Sequence, residues 1–407
     1  VTLILENALI FDGVESGLKP GHVLIEDQLI SEVSETPLKS ETARRINLNG
    51  RTLMPGLIDA HFHAMLVDLD LHGLDHMPSS FLAQKARVSL ENALARGFTT
   101  IRDAGGADYG FCMAIQAGLI RGPRLFISGR VLSQTGGHGD MRKRTEISPC
   151  GCGQVSRLSR LVDGPDAMRL AAREELRAGA SQIKIFASGG VISPTDPIGM
   201  LQFCDEEIQV AVTEAARQDT YVMAHAYTDD AISRSLDLGV RSIEHGNFLS
   251  LPTARKMAAK QAFLVPTLIT YNALVRDGAA MGMPKATLDK VMEVEVAGMN
   301  AISAALEAGA RIGFGTDLIG SFHERQSMEL MLRCEVQDSW SVLRSATSEN
   351  AALLNQDGKL GVVKAGAIAD LLAVEGDISR DLACLQDQGK HIDMILQAGQ
   401  ITKLTMH

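Results

Sequence analysis

Ala95-Arg96-Gly97-Phe98-Thr99-Thr100-Ile101 carries a helical stretch through one glycine straight into a β-branched run. The design returns at Ala178-Gly179-Ala180-Ser181-Gln182-Ile183, Leu238-Gly239-Val240-Arg241-Ser242-Ile243 and Ala308-Gly309-Ala310-Arg311-Ile312. A glycine after the last helical turn takes the left-handed conformation that ends a helix, and here the strand begins at once. Its recurrence marks repeated βα units and a parallel sheet. Working outward, candidate strands fall near residues 57–63, 98–103, 124–130, 181–187, 221–226, 241–245, 262–267 and 311–317. Eight such strands favour a (β/α)8 TIM-like barrel over an open doubly wound sheet. An amphipathic helix over residues 286–308 precedes the last strand, with Leu288, Val291, Met292, Met299, Ile302 and Leu306 on its apolar side.

Outside this middle region the pattern changes. Leu3-Ile4-Leu5, Ala8-Leu9-Ile10-Phe11 and Gly21-His22-Val23-Leu24-Ile25 read as a small antiparallel unit, with turns expected at Asp12-Gly13 and Pro20-Gly21. The far end looks alike, in Ala369-Asp370-Leu371-Leu372-Ala373-Val374 and Met394-Ile395-Leu396-Gln397. Neither end makes a stable sheet alone. The expectation is one small β-sandwich domain from residues 1–54 and 356–407, with the barrel, 55–355, inserted between them.

Composition bounds the function. The chain has 407 residues, 45% hydrophobic and 22% charged, with a net charge of −10. These proportions are ordinary for a globular protein. The negative balance argues against nucleic-acid and anionic-membrane partners, which demand a basic surface. No apolar run is long enough to cross a bilayer. The opening Val-Thr-Leu-Ile-Leu shows no basic leader, so a cytoplasmic location is expected, although the missing initiator Met leaves room for a removed upstream segment. The six cysteines are scattered apart from Cys150 and Cys152, and no second pair completes a zinc knuckle, so reduced thiols are expected.

Five short pieces end β-like runs with side chains able to ligate a metal: Asp59-Ala60-His61-Phe62-His63, Ile183-Lys184-Ile185, Met223-Ala224-His225, Ile243-Glu244-His245 and Phe314-Gly315-Thr316-Asp317. In a parallel barrel, functional groups gather at the C-terminal ends of strands. His61 and His63 are two apart, so both point the same way. A lysine inside an apolar strand can snorkel or pair with a carboxylate. Desolvated and neutral, Lys184 can instead add CO2 and become a carbamate that bridges two cations. An Asp in a turn commonly caps or forms the turn, but the small residues before Asp317 let its carboxylate approach a metal. Together these residues describe a cage for two divalent metals that activates water.

At these motifs the chain resembles the amidohydrolase superfamily, binuclear type, over almost its whole length. The resemblance implies that His61 and His63 bind the more buried metal and that His225 and His245 bind the more exposed one. It also implies that a CO2-derived carbamate on Lys184 bridges both, and that Asp317 completes the buried site and acts as general acid/base. Zinc is the expected metal. The closer resemblance is to the Xaa-Pro dipeptidase (prolidase-like) group. It is carried by Phe98-Thr99-Thr100-Ile101-Arg102-Asp103-Ala104-Gly105-Gly106, Ser133-Gln134-Thr135-Gly136-Gly137-His138-Gly139-Asp140, Ala187-Ser188-Gly189-Gly190-Val191, His225-Ala226-Tyr227-Thr228 and Glu244-His245-Gly246-Asn247. Relatives with similar strings include carboxypeptidase-like enzymes for C-terminal Arg or Lys and hydrolases of the ochratoxin amide.

In that group the residues matching His138 and Tyr227 touch the scissile carbonyl or the oxyanion. Arg142, Lys143 and Arg144 follow His138 as a solvated loop, from which one cation, Arg142 first, could meet a substrate carboxylate. His72, His76, His323, His391 and His407 have no comparable support. The expected reaction is hydrolysis of an L-Xaa-L-Pro dipeptide by a hydroxide bridging two cations, which lower the pKa of bound water. The alternatives are an Arg/Lys carboxypeptidase, an N-acyl amino acid or ochratoxin-type amidohydrolase, and an inactive relative serving as a binding protein. Expected partners are a small molecule or dipeptide and further copies of the chain.

Overall fold

The computed structural model describes residues 2–142, 145, 157–191 and 196–406. Lys143, Arg144, Cys150, Cys152 and His407, singled out above, lie outside them. The four described cysteines, Cys112, Cys204, Cys334 and Cys384, are free thiols. No helix among the described residues is long and apolar enough to cross a membrane.

The two chain ends meet in one hydrogen-bonded sheet of eight strands. Thr52–Pro55 is its hinge piece. It runs parallel to Thr2–Ile10 on one side and antiparallel to Leu371–Val374 on the other, with Leu53 opposite Ala373. Ile392–Gln397 and Gln400–Leu404 extend the sheet at the C-terminal side, and Lys19–Glu26 and Leu29–Ser34 at the N-terminal side. Pro20-Gly21, expected as a turn, instead pairs within Lys19–Glu26, where Pro20 faces Leu9 and Gly21 faces Ala8. Proline is tolerated so close to a strand start, and the Gly21 position has no room for a Cβ beside Ile10.

Between the ends lie two all-parallel sheets. Leu57–Phe62, Phe98–Asp103 and Arg124–Ile127 form one of three strands. Ser159–Leu161, Val131–Ser133, Ile183–Phe186, Val222–Ala226, Ser242–His245, Phe263–Val265 and Arg311–Ile312 form the other, in that order. Backbone hydrogen bonds bridge the two sheets on both sides: Ser181 N to Ile127 O at 2.7 Å, and Ala60 N to Phe314 O at 2.8 Å. Most of these strands are buried at every residue, which is why they read as apolar runs. The four recurring glycines have φ of +91°, +103°, +94° and +67° at Gly97, Gly179, Gly239 and Gly309, the left-handed stops that their spacing predicts. The long helix spans Lys285–Glu307.

Two strands differ from expectation. The third, expected over 124–130, breaks at Ser128-Gly129-Arg130 into Arg124–Ile127 and Val131–Ser133, because Gly129 turns to φ +67°. The last, expected over 311–317, is regular only at Arg311–Ile312. Beyond it a side chain adds to the backbone bonds that the segment still makes to its neighbours. Asn350 Oδ1 accepts from Phe314 N at 3.0 Å, and Asn350 Nδ2 donates to Phe314 O at 2.8 Å and to Ile58 O at 2.7 Å.

Candidate metal centre and active site

The functional side chains project from the C-terminal ends of the parallel strands into one cavity of about 280 Å3. His61, His63, Lys184, His225, His245, Asp317, His138 and Tyr227 all line it. Arg142 is not among the lining residues. Its guanidinium makes two bonds to Asp140, Nε to Oδ1 at 2.7 Å and Nη2 to Oδ2 at 2.6 Å.

Each imidazole spends one ring nitrogen on a protein partner and keeps the other. His61 Nδ1 donates to Glu244 Oε2 at 2.6 Å, and His63 Nδ1 donates to Gly105 O at 2.9 Å. His225 Nε2 donates to Gly189 O at 3.2 Å, and His245 Nδ1 lies 2.8 Å from Thr267 Oγ1. Such partners fix the tautomer and aim the remaining lone pair. The remaining Nε2 atoms of His61 and His63 converge on Asp317 Oδ1, at 3.4 and 3.1 Å. His61, His245 and Asp317 each offer a ligand atom within 4.8 Å of the others.

The electrostatics favour lone pairs and a charged carboxylate. Burial holds His225 and His245 well below the usual histidine range; for His225, His138 and His245 add to this, whereas Asp317 opposes it at His245. Both are therefore neutral at pH 7. Burial pushes the Asp317 carboxyl up, but His61, His63 and His245 outweigh it and hold the group well below the carboxylate range. Lys184 is 2% exposed, and burial brings its ammonium down to about 8 despite Glu244 and Asp317. Among the described residues Lys184 makes no hydrogen bond or ion pair. An amine whose proton is loosened by burial, four oriented imidazoles and an ionised carboxylate are a donor set that fits two divalent cations.

Two backbone features build this cluster. Alternation along a strand would send Glu244 and His245 to opposite faces. His245 takes φ +72°, however, which turns the chain so that both side chains reach the site. Asp317 does the same at φ +51°. Non-glycine residues held in this region cost roughly 1–3 kcal/mol each and gather at functional sites.

Several contributors escaped the sequence reading. Glu244 and Arg102 form a fully buried pair at 2.9 Å, and Ser242 Oγ bridges them. Burial would raise the Glu244 carboxyl, but Arg102 and His61 keep it ionised, so it can orient His61. The signal was present, as two opposite charges in separate apolar strands need a partner. Asp196 Oδ2 lies 3.0 Å from His138 Nδ1, so the ring has Nε2 left for another partner. Gly190 makes room for that ring, since a Cβ there would sit 2.0 Å from His138 Cε1. Tyr271, whose Oη is 2.8 Å from Tyr227 Oη, left no trace at the sequence level.

The model of the Amidohydrolase family matches residues 52–402. The chain belongs to the amidohydrolase family. A crystal structure of an amidohydrolase is 44% identical, with a TM-score of 0.97 and full coverage of both chains. A prolidase solved with N-methylphosphonate-L-proline is 43% identical, with a TM-score of 0.96, covering 99% of this chain and 100% of the other. Ochratoxinase from Aspergillus niger is 29% identical over 99% of this chain and 87% of its own length. Within this amidohydrolase, Pro55-Gly56 links the end sheet directly to the strand bearing His61 and His63.

Proposed function

We propose that this amidohydrolase is an L-Xaa-L-Pro dipeptidase. The observation that carries the reading is the cavity itself. At about 280 Å3 it lies just under the range of roughly 300–1,000 Å3 typical for drug-sized ligands. Its walls are apolar, with Leu66, Met141, Leu158, Val191, Leu274 and Ile319, and its floor is the histidine cluster. Besides Asp317, the one carboxylate among the described lining residues is Asp70, which already accepts from Gly73 N as a helix cap. This favours an apolar substrate side chain over a guanidinium. The likeness to a prolidase that binds a proline phosphonate supports the same choice.

In this reading His61, His63, Asp317, His225 and His245, together with Lys184 once carboxylated, would hold two divalent cations, zinc being the expected metal. When bound, they would supply a water-derived nucleophile at neutral pH and polarise the scissile carbonyl. Asp317, ionised beside three imidazoles, takes the proton of the attacking water and delivers it to the leaving nitrogen. Proline leaves as a secondary amine, so this protonation is needed for the intermediate to collapse. Tyr227 Oη donates to the carbonyl oxygen as its charge develops, and His138 Nε2 does so when the ring is the imidazolium, since Nδ1 gives its proton to Asp196. We infer also that the parallel strands close into a (β/α)8 barrel over 55–355, supported by the hydrogen bonds bridging the two sheets. Residues 1–54 and 356–407 then form the second domain, supported by their shared strands.

Steady-state assays of matched dipeptides test the substrate. Leu-Pro or Met-Pro should exceed Leu-Arg in kcat/KM by at least about tenfold, or roughly 1.4 kcal/mol of transition-state binding. Preference for C-terminal Arg or Lys, or for N-acyl amino acids of the ochratoxin type, would reject the proline assignment.

A further inference from the structure

Tyr227 and Tyr271 are both buried, 4% and 1% exposed, and both line the cavity. Tyr227 follows the His225 strand and stacks on His245, with ring centroids 5.2 Å apart and 11° between planes. Tyr271 stands on the helix Leu268–Asp277 that follows the next strand but one. The phenol oxygens are 2.8 Å apart. One proton occupies that bond, and which tyrosine supplies it decides what Tyr227 can offer a substrate.

A hydroxyl has one proton to give. If Tyr227 spends it on Tyr271, its lone pairs face the cavity and repel a developing oxyanion. If Tyr271 supplies the proton of the shared bond, Tyr227 accepts on that side and keeps its own for the cavity. Only the second order suits the donor role given to Tyr227 above. The stack on His245 fixes the Tyr227 ring, and the burial of both phenols keeps water from taking the place of Tyr271.

We infer that Tyr271 is a positioning residue that donates to Tyr227 and so leaves Tyr227 its own proton for the scissile carbonyl oxygen. The inference rests on the amide-hydrolase reading above and names no new catalytic group. It makes Tyr271 act only through Tyr227, which a double-mutant cycle detects.

Tyr271→Phe keeps the ring and its burial. Its kcat should fall by about tenfold or more, less than loss of the oxyanion donor itself, with KM within roughly twofold. Zinc content should equal that of the wild type. In a Tyr227→Phe background the same change should do nothing further. A second arm needs no turnover: calorimetric affinity for a phosphonate mimic of the tetrahedral intermediate should fall in Tyr271→Phe but not in the Tyr227→Phe, Tyr271→Phe double variant relative to Tyr227→Phe. Equal losses in both backgrounds, an effect on KM alone, or loss of zinc would overturn the inference. The cycle is read on whichever amide the wild type cleaves. Failure of the proline preference therefore rejects the substrate assignment while the cycle still decides the role of Tyr271.

Discussion

Lys184 shows how far one buried residue sets the chemistry of this site. It lies between Ile183 and Ile185, and burial lowers its ammonium to about 8. Below pH 8 the side chain is charged in both the folded and unfolded states, and the folded state bears the full cost of burying it. As pH rises from about 8 to the unfolded value of 10.5, the unfolded chain holds a proton that the folded one has lost, so stability rises. Relative to Lys184→Met, the metal-free wild type should therefore gain up to about 3 kcal/mol across that window. Denaturant unfolding of both proteins in CO2-free buffer at several pH values measures the difference, and a flat difference would refute it. The same neutral amine is what CO2 addition requires. The residues proposed as ligands were legible because each is a polar group where an apolar strand ends. Glu244, Thr267 and Tyr271 were not, because their roles depend on partners many residues away and on left-handed φ values at His245 and Thr267.

Among the elements, the helix Leu268–Asp277 matters most, since it carries Thr270 and Tyr271 into the cavity wall. Its start has no side-chain cap of its own. Glu329, fully buried on Met328–Arg333, takes that place: Oε2 accepts from Ile269 N at 2.7 Å. Burial pushes the Glu329 carboxyl up to about 8, and Arg333, 3.9 Å away, offsets this only in part. The group is therefore protonated at pH 7, and a neutral amide can replace it. Glu329→Gln should leave urea stability within about 0.5 kcal/mol, whereas Glu329→Ala should cost roughly 1–3 kcal/mol by stranding the Ile269 N–H. Equal losses in the two variants would mean an ionised Glu329 bound to Arg333. Sequence showed most elements through period and helix-ending glycines. It did not show the broken third strand or the short last one, because those ends are held by Gly129 and by the Asn350 side chain, which periodicity cannot register.

For the whole molecule, the question is whether the end sheet and the strands bearing the site can melt apart. One apolar cluster spans both. Phe11, Met54, Leu372 and Ile392 of the end sheet and its borders pack in it with Leu57, Phe98, Phe314 and Val342 of the region between. Polar pins cross the same joint. Gly56 N donates to Asp370 O at 2.8 Å, and Gln397 Nε2 donates to Thr99 O at 3.1 Å and to Gly122 O at 3.0 Å. Separation would expose that cluster and strand those pins, while leaving His61 on a strand whose start at Pro55-Gly56 had lost its neighbour. We therefore expect one transition. Trp340, the single tryptophan, reports the joint directly, with its ring centroid 5.3 Å from that of Phe11. Its fluorescence and the far-UV signal should follow the same urea curve, the mark of two-state behaviour. Gln397→Ala removes two pins without touching the cavity, so both curves should shift together to lower urea, by about 1–3 kcal/mol. A fluorescence change that precedes loss of the far-UV signal would show instead that the ends peel away first, and the joint would then be a contact between independent domains.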